Sequence, residues 1–272
     1  MYNSLRRLFG KMIDGAGAGM SSTELQAEAR KFLESDEVDR WLRTMMTKLT
    51  RRLRKASAAE MRKSLAASTN SAELYELLKH EMEGPVGRRI NELIAENVQY
   101  IKTVPQFWAD YITKYVQRES LKGRRPESIE ADLRKVMPSH MTKNLKCICR
   151  TETSKANAAI VQARAEAVGI KCYIWRTVGD ERVRPSHRAM NGKVVFYSSP
   201  PNPEAIANSR GNGNSYEKPY GAYHAGNTFN CRCWQQVIVD EKHLPSSFEL
   251  AMGEDETFTN KVAFLKRFGK IS

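Results

Sequence analysis

From about Thr23 to Val168 apolar residues recur at three- and four-residue steps, the spacing of amphipathic helices, and turn residues cut the run into pieces. Ser35-Asp36-Glu37 predicts the start of a long helix, with acidic residues in its first turn and Val38, Trp41, Leu42, Met45, Met46, Leu49 and Leu53 on one face. A second helix is expected from Ser71-Ala72-Glu73 through Leu78, with Gly84-Pro85 as its stop, and a third through Val86, Ile90, Leu93, Ile94 and Val98. Pro105 predicts a further helix start, and Phe107, Trp108, Tyr111, Ile112, Tyr115 and Val116 then fall on one packing face. Gly123-Arg124-Arg125-Pro126 reads as a break before a short helix from Glu127 to Val136. Pro138-Ser139-His140 then begins an alanine-rich helix that Gly169 ends.

After Gly169 the period changes from helix to strand. Cys172 to Val178 alternates Cys172, Ile174 and Arg176 against Tyr173, Trp175 and Thr177 and is rich in strand formers. Asn191-Gly192 is a hairpin-type turn signal before a strand at Lys193 to Tyr197. Ser198 to Gly221 is dense in proline, glycine and asparagine and is expected to be an irregular surface loop. A last strand is expected from about Cys231 to Val239, and beyond Pro245 a loosely attached tail with a short helix at Lys261 to Phe268. The pattern predicts an α+β protein without internal repeats: a helical region at 1–139, a small compact domain at 140–245 with a long helix and a few mostly antiparallel strands, and a tail at 246–272.

Charge narrows the class of partner. The 272 residues carry a net charge of +13, which suits work against something anionic, nucleic acid above all. On the first long helix Arg40, Arg43, Lys48, Arg51, Arg52, Arg54 and Lys55 lie opposite the apolar face. They read as a solvated surface or, at Arg51, Arg52, Arg54 and Lys55, as sequence-independent contacts to phosphates. No stretch approaches the run of about 20 apolar residues that crosses a bilayer, so no membrane is expected as a partner. Asp14 and several glycines interrupt the apolar part of the N-terminal segment, so no secretion signal is expected there. Five cysteines without such a signal suit a reducing compartment, where thiols stay free or bind metal.

The densest chemistry lies between Trp175 and Trp234. Cys147 and Cys149 sit on a predicted helix, where residues two apart are rotated by about 200°, and they suit separate packing. Cys231 and Cys233 sit on a predicted strand and share a face. With His187 and His224 they compose a Cys2His2 set that zinc accepts; the competing account has the cysteines packed in the core and the histidines bonded to backbone. Asp180, Arg182 and Arg184 alternate, and an extended backbone would point all three one way, with charge pairing across them. A metal nuclease or hydrolase can be drawn from Asp180, His187 and His224, but no His-Glu-x-x-His, Gly-x-Ser-x-Gly or phosphate-cradling glycine motif is present. A non-catalytic protein is therefore expected, with a metal-dependent DNA-binding or nuclease-like module as the alternative.

Arg150-Thr151-Glu152, Asn157, Gly169, the block Trp175-x-Thr177-x-x-Asp180-x-Arg182-x-Arg184-x-x-His187-x-x-x-x-Gly192 and Asn230-Cys231-Arg232-Cys233 occur in one order. That order, from roughly Lys143 to Val239, resembles the phage Mu F-like minor head proteins, the phage head morphogenesis family. The resemblance implies a minor capsid protein of a tailed bacteriophage, in the virion near the portal vertex and in the host cytoplasm during assembly. Portal and major capsid subunits are the implied partners, with packaged double-stranded DNA, held non-specifically, as a further one. Trp175, Asp180, Arg182, Arg184 and Asn230 are then expected to clasp the small domain.

Overall fold

The computed structural model describes Arg7, residues 10–15, Ala18, residues 20–65, Glu76 and residues 78–211 and 220–269. The architecture is α+β, as expected, and the chain forms two compact units: Met1–Leu49 with Glu92–Cys147, and Thr50–Asn91 with Ile148–Ser272. Neither unit is bounded at 139 or 245: residue 139 falls within one long helix, and strands form beyond 245.

The first unit is helical. Helix α1 (Ser22–Leu33) opens on a capping box: the Glu24 amide donates to Ser21 Oγ at 3.3 Å, and the Ser21 amide donates to Glu24 Oε2 at 2.7 Å. Helix α2 (Asp36–Leu65) begins with the expected acidic turn. Its Leu42 and Met46 pack on Val98 of helix α3 (Pro85–Leu121), and Asp39 accepts from Arg43 and Lys102, each at 2.6 Å. The expected second helix falls largely outside the described residues.

Two expected breaks are not breaks. Pro105 lies inside α3, because Val98, Val104, Trp108 and Ile112 are all buried and continue one apolar stripe across it. Proline removes one amide and crowds the preceding turn, but packing on both sides keeps the axis running. Phe107 is 57% exposed and so is not in the core, whereas its neighbour Trp108 is. Helix α4 (Pro126–Ala167) likewise continues through position 138, merging the two expected helices. The same fixed φ suits proline to a first turn and to an interior position, so the residue alone does not distinguish them.

In the second unit α4 ends at Gly169, which has φ 75°. The Ile170 amide donates to Ala165 O at 2.8 Å and the Gly169 amide to Glu166 O at 3.0 Å, the paired bonds of a Schellman stop. Five strands follow in the order β3-β1-β2-β4-β5: β1 (Cys172–Arg176), β2 (Val194–Phe196), β3 (Trp234–Val237), β4 (Ser247–Met252) and β5 (Asp255–Asn260). All neighbours are antiparallel except β2 and β4. Strand β1 is an interior strand, between β3 and β2, and its alternation has the expected consequence on both faces. Tyr173 and Trp175 enter a core with Met190, Val195, Ile206 and Cys231, while Cys172 and Ile174 enter another with Val194, Phe248, Leu250 and Phe264.

Four local expectations are corrected. Asn191-Gly192 does not join β1 to β2 as a hairpin but turns the chain out of a short helix, α5 (Pro185–Met190). With φ −61° at Asn191, φ 90° at Gly192 and the Lys193 amide on Met190 O at 3.1 Å, it is a type II turn. The expected irregular loop holds helix α6 (Pro203–Ser209), capped by Asn202, which accepts from the Ala205 amide at 3.2 Å; residues 212–219 lie outside the described ones. Cys231 and Cys233 precede β3, which starts at Trp234. The expected loose tail is part of the sheet: β4, β5 and α7 (Lys261–Phe268) contribute Phe248, Leu250 and Phe264 to the core. The parallel pairing of β4 on β2 gives these residues a hydrophobic face to cover, which local pattern alone does not announce.

Buried charges tie the second unit together. Arg164 of α4 is wholly buried and holds Glu81 through two bonds, at 2.8 and 3.1 Å, and it also donates to the Arg54 carbonyl at 2.9 Å and to Ser57 Oγ. Lys193 is 2% exposed and pairs with Glu249 and Glu256 on the β4-β5 hairpin. Each of these buried groups has an opposite partner in contact, which offsets the cost of removing it from water.

Candidate functional site

His187 is fixed from two sides. Helix α5 starts at Pro185, and the imidazole lies edge-on to Trp175 of β1, with ring centroids 5.7 Å apart. Its Nδ1 is 3.6 Å from Cys231 Sγ and 3.4 Å from Cys233 Sγ, and all three residues are buried. The ligand atoms of His187, Cys231 and Cys233 all lie within 4.8 Å of one another. The two cysteines share a side despite standing before the strand, because the 231–233 segment is held at both ends. The Cys233 amide donates back to Cys231 Sγ at 3.3 Å.

The other imidazole nitrogen is engaged as well. His187 Nε2 is 2.9 Å from Tyr223 Oη, and that hydroxyl donates to Glu204 Oε1 of α6 at 2.6 Å. Because the tyrosine hydroxyl donates to the carboxylate, its oxygen is placed to accept from Nε2-H. Glu204 is 4% exposed and its Oε2 has no hydrogen-bond partner among the described residues. Burial and then Glu204 push the Tyr223 phenol well above its ordinary range. A hydrogen bond with Cys233, and then His187, lower the Cys231 thiol, whereas the Cys231 contact and burial raise that of Cys233.

His224 is not part of this set. Its Nδ1 is 3.2 Å from Tyr173 Oη, its ring lies edge-on to Tyr173 and Tyr197, and burial lowers its pKa. The structure therefore brings together three of the four expected ligands and puts His224 in a tyrosine layer. Gly226, two residues on, has φ 88°; a Cβ there would stand 3.0 Å from Ala158 Cβ, so glycine lets this loop approach α4.

The residues expected as a clasp do converge, with different pairings. Residues 177–184 form turns and not a strand, so Asp180, Arg182 and Arg184 share no face. Asp180 takes Arg232 in a two-bond pair at 2.5 and 2.6 Å, and Arg232 first of all lowers its pKa. Arg182 is 80% exposed and stands 3.6 Å from Asp180. Arg184 donates to Phe229 O at 2.8 Å and lies over the Tyr220 ring. Asn230 has φ 54°, in the left-handed region that asparagine tolerates. Its amide donates to Thr151 Oγ1 at 2.9 Å and its Oδ1 accepts from Arg150, also at 2.9 Å. Arg150 and Thr151 are thus joined to the start of the Asn230-Cys231-Arg232-Cys233 segment through Asn230. Glu204 escapes sequence reasoning because it falls in the stretch 198–221 assigned to irregular loop, and Tyr223 because it lies just beyond that stretch in no motif.

Of the cations expected to meet phosphate, Arg51, Arg52 and Lys55 are exposed. Arg54 is committed elsewhere: its Nε is 3.4 Å from the buried Glu81. Among the described residues no helix is long and apolar enough to cross a membrane. Cys147 is half-buried and lies outside the His-Cys-Cys set.

Residues 110–236 match the model of the phage Mu protein F like family. The match starts earlier than the expected Lys143, within α3, and it takes in His187, Glu204, Tyr223, Cys231 and Cys233 but not β4, β5 or α7. A relative from Haemophilus influenzae (strain Rd), described only as an uncharacterized protein, is 32% identical over 155 residues. The alignment spans 57% of this chain and 30% of that relative. No solved structure matches. The likeness to the phage Mu protein F like family thus lies in residues 110–236, just under half of the chain.

Proposed function

We propose that the chain is a head morphogenesis protein of a tailed bacteriophage, a minor capsid component that works by binding and not by catalysis. The single observation that carries this reading is the family match over residues 110–236. In this reading the protein joins portal and major capsid subunits in the host cytoplasm while the head is built and stays in the virion near the portal vertex. The net charge of +13 and the exposed Arg51, Arg52 and Lys55 support an additional, sequence-independent contact with packaged DNA.

One observation favours a second reading, a metal-dependent nuclease-like module: three buried metal-ligating side chains do meet. Their chemistry argues against it. Two thiols and an imidazole, with no carboxylate among them, suit a soft metal and not the oxygen-ligated magnesium of phosphodiester cleavage. The purified protein should therefore leave duplex DNA intact with magnesium, manganese or zinc; cleavage that His187→Ala abolishes would instead establish the second reading. The assembly role is tested by disrupting the gene in the phage and imaging lysates. Aberrant or empty heads, restored by the gene in trans, are expected, and a normal yield of infectious particles would overturn the proposal.

A further inference from the structure

We infer that His187 Nδ1, Cys231 Sγ and Cys233 Sγ are three protein ligands of a zinc site, with the fourth position left to a water or another small ligand. The first support is metric. Tetrahedral zinc with bonds of about 2.0–2.1 Å to nitrogen and about 2.3 Å to sulfur puts those donors roughly 3.5 Å apart. The observed separations are 3.6 and 3.4 Å. Both nitrogen–sulfur separations thus match edges of a zinc tetrahedron, and all three donor atoms lie within 4.8 Å of one another.

The second support lies around the donors. A metal-bound histidine characteristically donates its other N-H to an oxygen that fixes the ring and its tautomer. Here Nε2 meets Tyr223 Oη, itself bonded to the buried Glu204 carboxylate, so Nδ1 is left free to coordinate. The Cys233 amide donates to Cys231 Sγ, which stabilises a thiolate there. The third support is preorganisation. Asp180 with Arg232, Arg184 with Phe229 O and Asn230 with Thr151 hold residues 229–232 without any help from the sulfurs. The metal would then join α5 to the segment before β3, closing a contact between positions 44 and 46 residues apart.

Softness selects the metal. Two thiolates and an imidazole exclude magnesium and calcium and rank zinc first among the common ions. His224, on Tyr173, is no ligand. The inference is independent of the assembly role, since metal content is read on the isolated protein whether or not virions contain it.

The test is elemental analysis of the full chain, purified reduced, incubated with zinc and dialysed. About one zinc per chain is expected. Cys231→Ser, Cys233→Ser and His187→Ala should each lower occupancy at least about ten-fold, while His224→Gln keeps it; Tyr223→Phe should weaken binding by about 10–100-fold. Because a ligand variant can fail through misfolding, the cobalt-substituted wild-type protein provides the second measurement. A thiolate-to-cobalt charge-transfer band with intense tetrahedral visible bands supports the site. A protein with both thiols reduced that holds no metal, a cobalt spectrum without thiolate bands, full occupancy in Cys231→Ser/Cys233→Ser, or a Cys231–Cys233 disulfide in place of metal would each overturn it.

Discussion

Arg164 has no exposed surface and spends its guanidinium on Glu81, Ser57 and the Arg54 carbonyl. Truncating it leaves the Glu81 carboxylate buried without its principal partner, a loss of about 3–5 kcal/mol by the behaviour of buried pairs. Denaturant unfolding of Arg164→Ala should show this, whereas Arg164→Met combined with Glu81→Leu should recover most of it. His224 gives a pH signature. Its pKa is lowered by burial, so the unfolded chain binds a proton more readily than the folded one. Stability from this group is complete above the ordinary histidine value of about 6.5 and falls as pH drops from there through the folded value. Unfolding free energies at pH 7.5 and pH 5.5 should differ more for the wild type than for His224→Gln. An equal pH dependence would show that His224 is not the group responsible.

At the scale of elements, what the sequence makes legible is what local period and local chemistry determine. The alternation of Cys172, Tyr173, Ile174 and Trp175 predicts two buried faces, and both are found because a core packs on each side of β1. Gly169 stops α4 where a left-handed residue is needed. The rest depends on partners distant in sequence. Pro105 reads as a helix start until Val98 and Trp108 are known to share one stripe, and the last strands read as a tail until β2 offers an edge to pair with. At the candidate site the meeting of His187 with Cys231 and Cys233 is foreshadowed by residue type and spacing. The support from Tyr223 and Glu204, and the pairing of Asp180 with Arg232, arise only when α6 and the 177–184 turns fold against the 229–233 segment. Because β4, β5 and α7 cover Cys172, Ile174, Val194 and Phe196, a chain ending at Lys242 should lose cooperative thermal unfolding and bind a hydrophobic dye. A cooperative transition in the truncated chain would contradict the integral role assigned to the C-terminal strands.

For the whole molecule, charge is the property that outlives local detail. Forty-four basic against 31 acidic side chains give a long-range attraction to polyanions that carries no sequence information. If Arg51, Arg52 and Lys55 each neutralise a phosphate, replacing all three by alanine should reduce the slope of log affinity against log salt by roughly 2 to 3. Binding to duplex DNA whose affinity ignores salt would deny them that part. The family match covers residues 110–236, so the helices before it and the strands after it are the surfaces on which this chain can differ from its relatives. The chain spans about a third of the length of the Haemophilus influenzae relative, so the role proposed here rests on the shared domain. The most direct test is quantitative mass spectrometry of gradient-purified phage heads: the protein should be present in a fixed low ratio to the portal protein, and its absence from heads in lysates that contain it free would contradict the account.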